Sequence, residues 1–200
     1  MILEYSFQTI EKPIIDIILK EKGSKFISYA FPVEDEEAVK KRLEEIKNLH
    51  PKATHHCYAF RLGVNGENYR ANDDGEPSGS AGLPIYNQLL AHNITQVLVV
   101  VVRYYGGTKL GVGGLVKIYK ESAKEVLSFA NLVTQELSAT IRLIFNYSDQ
   151  SSVYQIVNKH HLEIVEVQNQ EKIKLVIKVS QEKYLIFLEL FKSLLNVKVL

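Results

Sequence analysis

Cysteine is almost missing from this chain: Cys57 stands alone among 200 residues. One thiol cannot close an internal disulfide, so a stapled extracellular scaffold is excluded and a reducing compartment is expected. Long apolar runs are lacking too. The longest is Val97 to Val102, far short of the roughly 18 to 20 residues of a membrane span. The opening segment MILEYSFQTIEK has no basic stretch, no apolar stretch and no small-residue cleavage site, which argues against a secretory signal. A cytoplasmic protein with no membrane partner is the expectation. An excess of one charge is also absent, with 24 Lys and Arg against 23 Asp and Glu. The balance holds on either side of residue 130, at 16 against 16 and then 8 against 7. Strong non-specific binding to nucleic acid by counterion release is therefore excluded, and any such role has to rest on a local patch. What is present is an ordinary globular mixture, 46% apolar and 24% charged, long enough for one large domain or two small ones.

Alternation at Leu3, Tyr5 and Phe7, the run Ile14 to Leu19, a turn at residues 21–24 and a second run to Val33 predict an antiparallel ribbon. Asp35 is placed to cap a helix reaching Leu49, with Glu36 and Glu37 in its first turn and Val39, Leu43 and Ile46 on its apolar stripe. Thr54 to Leu62 reads as a strand, Asn72 to Gly82 as a loop, and Leu83 to His92 as a short helix. Val97 to Val102 does not alternate and should be covered on both faces. A glycine-rich stretch then leads into a helix from about Leu115 to Ala130. Beyond Glu136 the order is β-α-β-β-α-β, with Ser148 or Asp149 and then Ser180 as helix caps. That is the split βαβ, ferredoxin-like pattern. The boundary is placed near residues 131–136, giving domains 1–132 and 133–200.

Five of the eleven glycines fall between 106 and 114. Gly106, Gly107, Gly111, Gly113 and Gly114 follow a buried strand and feed a helix, whose first amides lack partners and lie at the positive end of its dipole. Arg103, Lys109, Lys117 and Lys120 give residues 103–120 a local charge of +4 with no acidic residue. An anion or a phosphate backbone fits that arrangement, while close strand–helix packing with a solvated lysine face fits it equally. Neither standard nucleotide fingerprint is satisfied. In the preceding loop, Asp73, Asp74 and Glu76 could hold a hard cation, or order a turn with Ser78 by accepting backbone N–H bonds and pairing with Arg103 or Lys109. His55, His56 and Cys57 are too few for zinc, and a reactive thiol has no local activator. His55 is expected to be a polar contact near the glycine loop. Tyr104, Tyr105 and Tyr119 flank the basic segment, where bases could stack. No cofactor, no metal and no catalytic residue is expected.

Tyr58-Ala-Phe-Arg61, the acidic loop from Asp73 to Gly82, and the segment from Val101 to Leu115 resemble the signature of the IMPACT (YigZ) family. The resemblance covers about residues 15 to 130. It implies an α+β chain of two domains. The first would be a ribosomal-protein-like α/β sandwich with a mixed sheet, the second a ferredoxin-like domain similar to one in elongation factor G. Eukaryotic members restrain a translation-control kinase through an additional N-terminal domain, a role not expected here, and bacterial members are suspected of binding nucleic acid or the ribosome. The resemblance thus implies a non-enzymatic, translation-associated factor that binds RNA or the ribosome through its Gly/Lys-rich loop. Two alternatives stay open: an enzyme or binding protein for a phosphorylated small molecule such as a nucleotide at that loop, and a protein-interaction regulator of translation.

Overall fold

A computed structural model describes residues 5–200, and these form two compact units, Ser6–Gln135 and Glu136–Leu200, with Tyr5 belonging to the second. In the unit Ser6–Gln135, the apolar run that never alternates sits in strand β6 (Val97–Tyr104), the middle strand of a five-stranded sheet. The order across the sheet is β2 (Ile14–Glu21), β3 (Ser24–Pro32), β6, β4 (His55–Leu62) and β5 (Asn68–Asn72). Successive side chains of a strand point to opposite faces. Val97, Val99 and Val101 therefore enter one core with Phe26, Cys57 and Ala59, and Leu98, Val100 and Val102 enter another with Tyr29, Phe31 and Phe60. Helices α2 (Gly82–Ala91) and α3 (Gly111–Ser128) cover the first face. Helix α1 (Glu36–Leu49) covers the second through Val39 and Ile46. Asp35 caps α1 by accepting from the Ala38 amide at 2.7 Å, a contact worth about 1 kcal/mol.

The sheet is not mixed. Every pairing in it is antiparallel. The helical crossover from β3 to β4 does join two strands of like direction, but β6 lies between them and runs against both. The N-terminal ribbon is also smaller than its alternation predicts. Strands β2 and β3 form it, whereas β1 (Ser6–Ile10) pairs with β7 (Leu132–Glu136); Leu3 lies outside the described residues. Residues 132–136, inside the stretch where the sequence places the domain boundary, are thus a strand.

The unit Glu136–Leu200 has a four-stranded antiparallel sheet built from β8 (Ser138–Phe145), β9 (Glu163–Asn169), β10 (Ile173–Ser180) and β11 (Lys198–Val199). Its order is β11-β8-β10-β9, the ferredoxin-like arrangement. Ile141, Leu143, Phe145, Leu175 and Ile177 form one face and pack against Val153 and Val157 of α4 (Gln150–Lys159) and Phe187 and Phe191 of α5 (Tyr184–Lys192). Neither Asp149 nor Ser180 makes the side-chain cap expected of it. A 3-10 turn precedes each helix, so the Gln150 and Tyr184 amides bond the Tyr147 and Gln181 carbonyls instead. Among the described residues no helix is long and apolar enough to cross a membrane.

Gly23, at φ +81°, turns the chain between β2 and β3, and Gly106 lies directly against its backbone. A methyl group on Gly106 would overlap the Gly23 carbonyl. Gly106→Ala should therefore destabilise the protein by about 1–3 kcal/mol. Gly113→Ala, where a methyl meets nothing within 4 Å, should be neutral or stabilising by up to ~1 kcal/mol. Denaturant unfolding of both variants checks the contrast.

Candidate functional site

The site is built from four pieces of chain: the start of β4, the loop Asp73–Gly82, the end of β6 and the start of α3. Asp73 organises the loop. One carboxylate oxygen accepts from the Ala81 and Gly82 amides at 2.9 and 2.8 Å, and the other accepts from the Gly79 amide at 2.8 Å. It thereby caps α2, whose own N-cap residue, Ala81, has no side chain to do so. The Asp74 carboxylate accepts from the His56 amide at 2.6 Å, and the Asp74 carbonyl accepts from His55 Nδ1–H at 2.8 Å. Ser78 is exposed and makes no side-chain hydrogen bond among the described residues.

Glu76 turns inward. Its Oε1 accepts from Arg103 at 2.6 Å and from the Tyr119 hydroxyl at 2.8 Å, and all three side chains are buried. Arg103 lies against the rings of Phe26 and Tyr105, with its charged carbon 5.5 and 5.4 Å from their centroids. The three carboxylates of the loop thus diverge to three separate sets of donors. Tyr119 is no stacking platform: it is fully buried, and its place in the stripe Leu115, Ile118, Tyr119, Ser122, Ala123 was readable from helical periodicity. Burial pushes both the Tyr119 hydroxyl and the Cys57 thiol far above their ordinary titration range. The thiol donates to the Asp73 carbonyl at 3.0 Å. A fully buried thiol held protonated is a structural contact, not a nucleophile.

The glycine-rich stretch separates into two parts. Gly106 is structural, since its amide donates to Ser24 Oγ at 3.2 Å. Gly107 is exposed with φ +85°. Gly111, Gly113 and Gly114 are not in a loop ahead of the helix. They form its first turn, because α3 begins at Gly111, four residues earlier than the apolar stripe predicts. Glycine hides a helix start from a pattern based on side chains. Leu110 occupies the N-cap position without a side-chain cap, and the first turn contains no acidic residue. The amides of residues 111–113 are therefore donors without a partner inside the helix.

These amides adjoin a cleft of about 420 Å³ lined by Thr54, His55, Glu76, Pro77, Arg103, Tyr105, Lys109, Leu110, Gly111, Val112 and Leu115. Lys109 stands exposed on its lining. Lys117 and Lys120 lie farther along the exposed face of α3, where Glu121 and Glu125 interleave, and Lys117 Nζ is 3.9 Å from Glu121. The local charge of +4 therefore shrinks, because Glu76 neutralises Arg103 and Glu121 offsets Lys117. Linear counting missed both partners: Glu76 is 27 residues from Arg103, and Glu121 lies one residue past the window.

Residues 22–127 match the Impact N-terminal domain. The chain is 31% identical over 194 residues to the IMPACT family member YvyE of Bacillus subtilis, across 97% of this chain and 89% of that protein. It is 38% identical over 115 residues to the IMPACT family member YigZ of Escherichia coli, across 56% of each. A solved structure titled as that of a hypothetical protein superposes with a TM-score of 0.75 at 28% identity, over 99% of this chain and 98% of that one.

Removing the buried carboxylate leaves Arg103 charged and unpaired. Glu76→Ala should lower stability by about 3–5 kcal/mol, read as a shift of the denaturant midpoint. The folded protein at pH 8 should leave Cys57 unmodified by iodoacetamide and expose one reactive thiol only in denaturant; rapid labelling of the native state would contradict the buried placement.

Proposed function

Because the chain belongs to the IMPACT family, we propose that it is a translation-associated factor whose cleft at the start of α3 takes a phosphate of RNA, on the ribosome or free. The observation that carries this reading is the uncapped first turn of α3, with its amides, no acidic residue, and Lys109 beside it on the same cleft. A helix N-terminus offers a phosphate several N–H donors together with the favourable end of the dipole. Gly113, with open space where a side chain would be, leaves the approach to those amides clear. Tyr105, half exposed on the cleft lining, supplies an aromatic face on which a neighbouring base can stack.

The near-zero net charge and the neutralised Arg103 mean that this affinity comes from a few close contacts, not from a broad cationic field. The site residues divide accordingly. Lys109 and the amides of residues 111–113 make the contact, and Lys120 adds field from farther along α3. Asp73, Asp74 and Glu76 hold the opposite wall in place. A second reading has its own support: 420 Å³ is within the roughly 300–1,000 Å³ typical of small-molecule sites, so a phosphorylated small molecule could occupy the same cleft.

Reversing one charge tests the proposal. Lys109→Glu should weaken binding of single-stranded RNA about tenfold at 0.1 M salt, lower the slope of log K against log salt by about 1, and reduce co-sedimentation with ribosomes. Unchanged affinity and slope would overturn it. Multi-degree thermal stabilisation by a mononucleotide, in a protein indifferent to RNA, would favour the second reading.

A further inference from the structure

The lining of the cleft contains two polar atoms, on His55 and Glu76, that have no hydrogen-bond partner among the described residues. His55 Nδ1 is 2.8 Å from the Asp74 carbonyl. A carbonyl only accepts, so Nδ1 has to be the donor, and the neutral ring then presents Nε2 as a bare lone pair. Nε2 is 3.9 Å from Glu76 Oε2. The other oxygen of Glu76 is occupied by Arg103 and Tyr119, while Oε2 has no hydrogen-bond partner among the described residues. The Glu76 side chain is 96% buried, at 4% relative exposure, yet the residue lines the cleft. A lone pair and a carboxylate oxygen that face each other at this distance repel unless a hydrogen lies between them. Lys109, Gly111 and Val112, whose ammonium and amide groups are donors, line the same cleft.

We infer that His55 Nε2 and Glu76 Oε2 form an acceptor pair for a hydroxyl donated by the bound molecule, and that on RNA this hydroxyl is the ribose 2′-OH, so that the cleft selects ribose over deoxyribose. The 2′-OH is the group by which a protein tells RNA from DNA at a given position. It lies on the sugar that joins phosphate to base. A strand with its phosphate on the α3 amides therefore carries the hydroxyl along the same cleft. A carboxylate beside the sugar is the solution that dinucleotide-binding folds use to hold a ribose hydroxyl. A ligand that covers this wall without the hydroxyl shuts both acceptors off from water and leaves them unmatched, which penalises DNA. The fixed tautomer also separates the roles of the two ring nitrogens: Nδ1 ties the imidazole to the acidic loop, and Nε2 meets the ligand.

This inference rests on the RNA reading above, and one experiment separates their failures. The full chain is titrated, by fluorescence anisotropy, with three single-stranded oligonucleotides of one sequence: RNA, 2′-O-methyl RNA and DNA. RNA should bind about tenfold more tightly than either of the others. 2′-O-methyl RNA keeps the ribose pucker but loses the donor, and DNA loses it without the added bulk of a methyl group, so weakness of both identifies the hydroxyl. Equal affinity for RNA and 2′-O-methyl RNA overturns the inference and leaves the RNA reading standing; no binding of any of the three overturns both. His55→Asn keeps a donor where Nδ1 stands and removes Nε2, and should bring RNA down to the level of DNA. An unchanged preference in the folded variant removes His55 from the proposal.

Discussion

The buried pair between Glu76 and Arg103 is the interaction on which the functional end of the larger domain depends. Both side chains are almost fully withdrawn from water, so each would be costly alone, and only their short contact together with the Tyr119 hydroxyl offsets the desolvation. The pair joins three elements that are far apart in sequence. Arg103 is the penultimate residue of β6, Glu76 belongs to the acidic loop, and Tyr119 is about one and a half turns past the last glycine of α3. Asp73 adds a second restraint through three backbone amides. A segment composed of Asp, Gly, Ser and Pro, ordinarily mobile, is in this way fixed against the sheet.

The same pair reverses the electrostatic expectation. Counting along the chain puts four positive charges near the glycines. In three dimensions the most central of them is spent on Glu76, and another is offset by Glu121. The result is a nearly neutral cleft with a polarity across it: helix amides and Lys109 on one side, His55 Nε2 and Glu76 Oε2 on the other. On the reading proposed above, such a surface recognises its ligand by matching donors to acceptors. It does not attract polyanions in bulk, which agrees with a chain whose net charge is +1.

Much of the fold was legible because it follows from local rules. Asp35 caps α1 as its position predicts, Val97 to Val102 are covered on both faces as the lack of alternation requires, and the strand and helix order past Glu136 specifies the ferredoxin-like sheet. Most of the misreadings come from dependence on partners distant in sequence. Strand β1 pairs with β7, more than a hundred residues away, and no pattern within either segment names the other. That β6 inserts between β3 and β4 is a fact of topology, so the antiparallel sheet could not be read from the crossover alone. The helix start at Gly111 was hidden because glycine contributes nothing to an apolar stripe. In the site, the residue types of the loop were legible, while their division into structural Asp73, bridging Asp74 and buried Glu76 required coordinates.

The helix ends of the larger domain carry a further implication. Helix α1 has Asp35 on its amides, and α2 has Asp73 reaching back to cap it. Helix α3 has neither, although it is the longest of the three. A side-chain cap contributes about 1 kcal/mol, and a single Ser or Asp at position 110 in place of leucine would be the simplest way to supply one. Leucine there forgoes that contribution, and the three glycines of the first turn forgo helix propensity as well. Stability is thus left unclaimed at one point, beside a cleft with unmatched acceptors on its other wall. Incomplete satisfaction on both walls at once is coherent if a ligand completes them: an anion closes the helix end, and a hydroxyl closes the gap between His55 and Glu76.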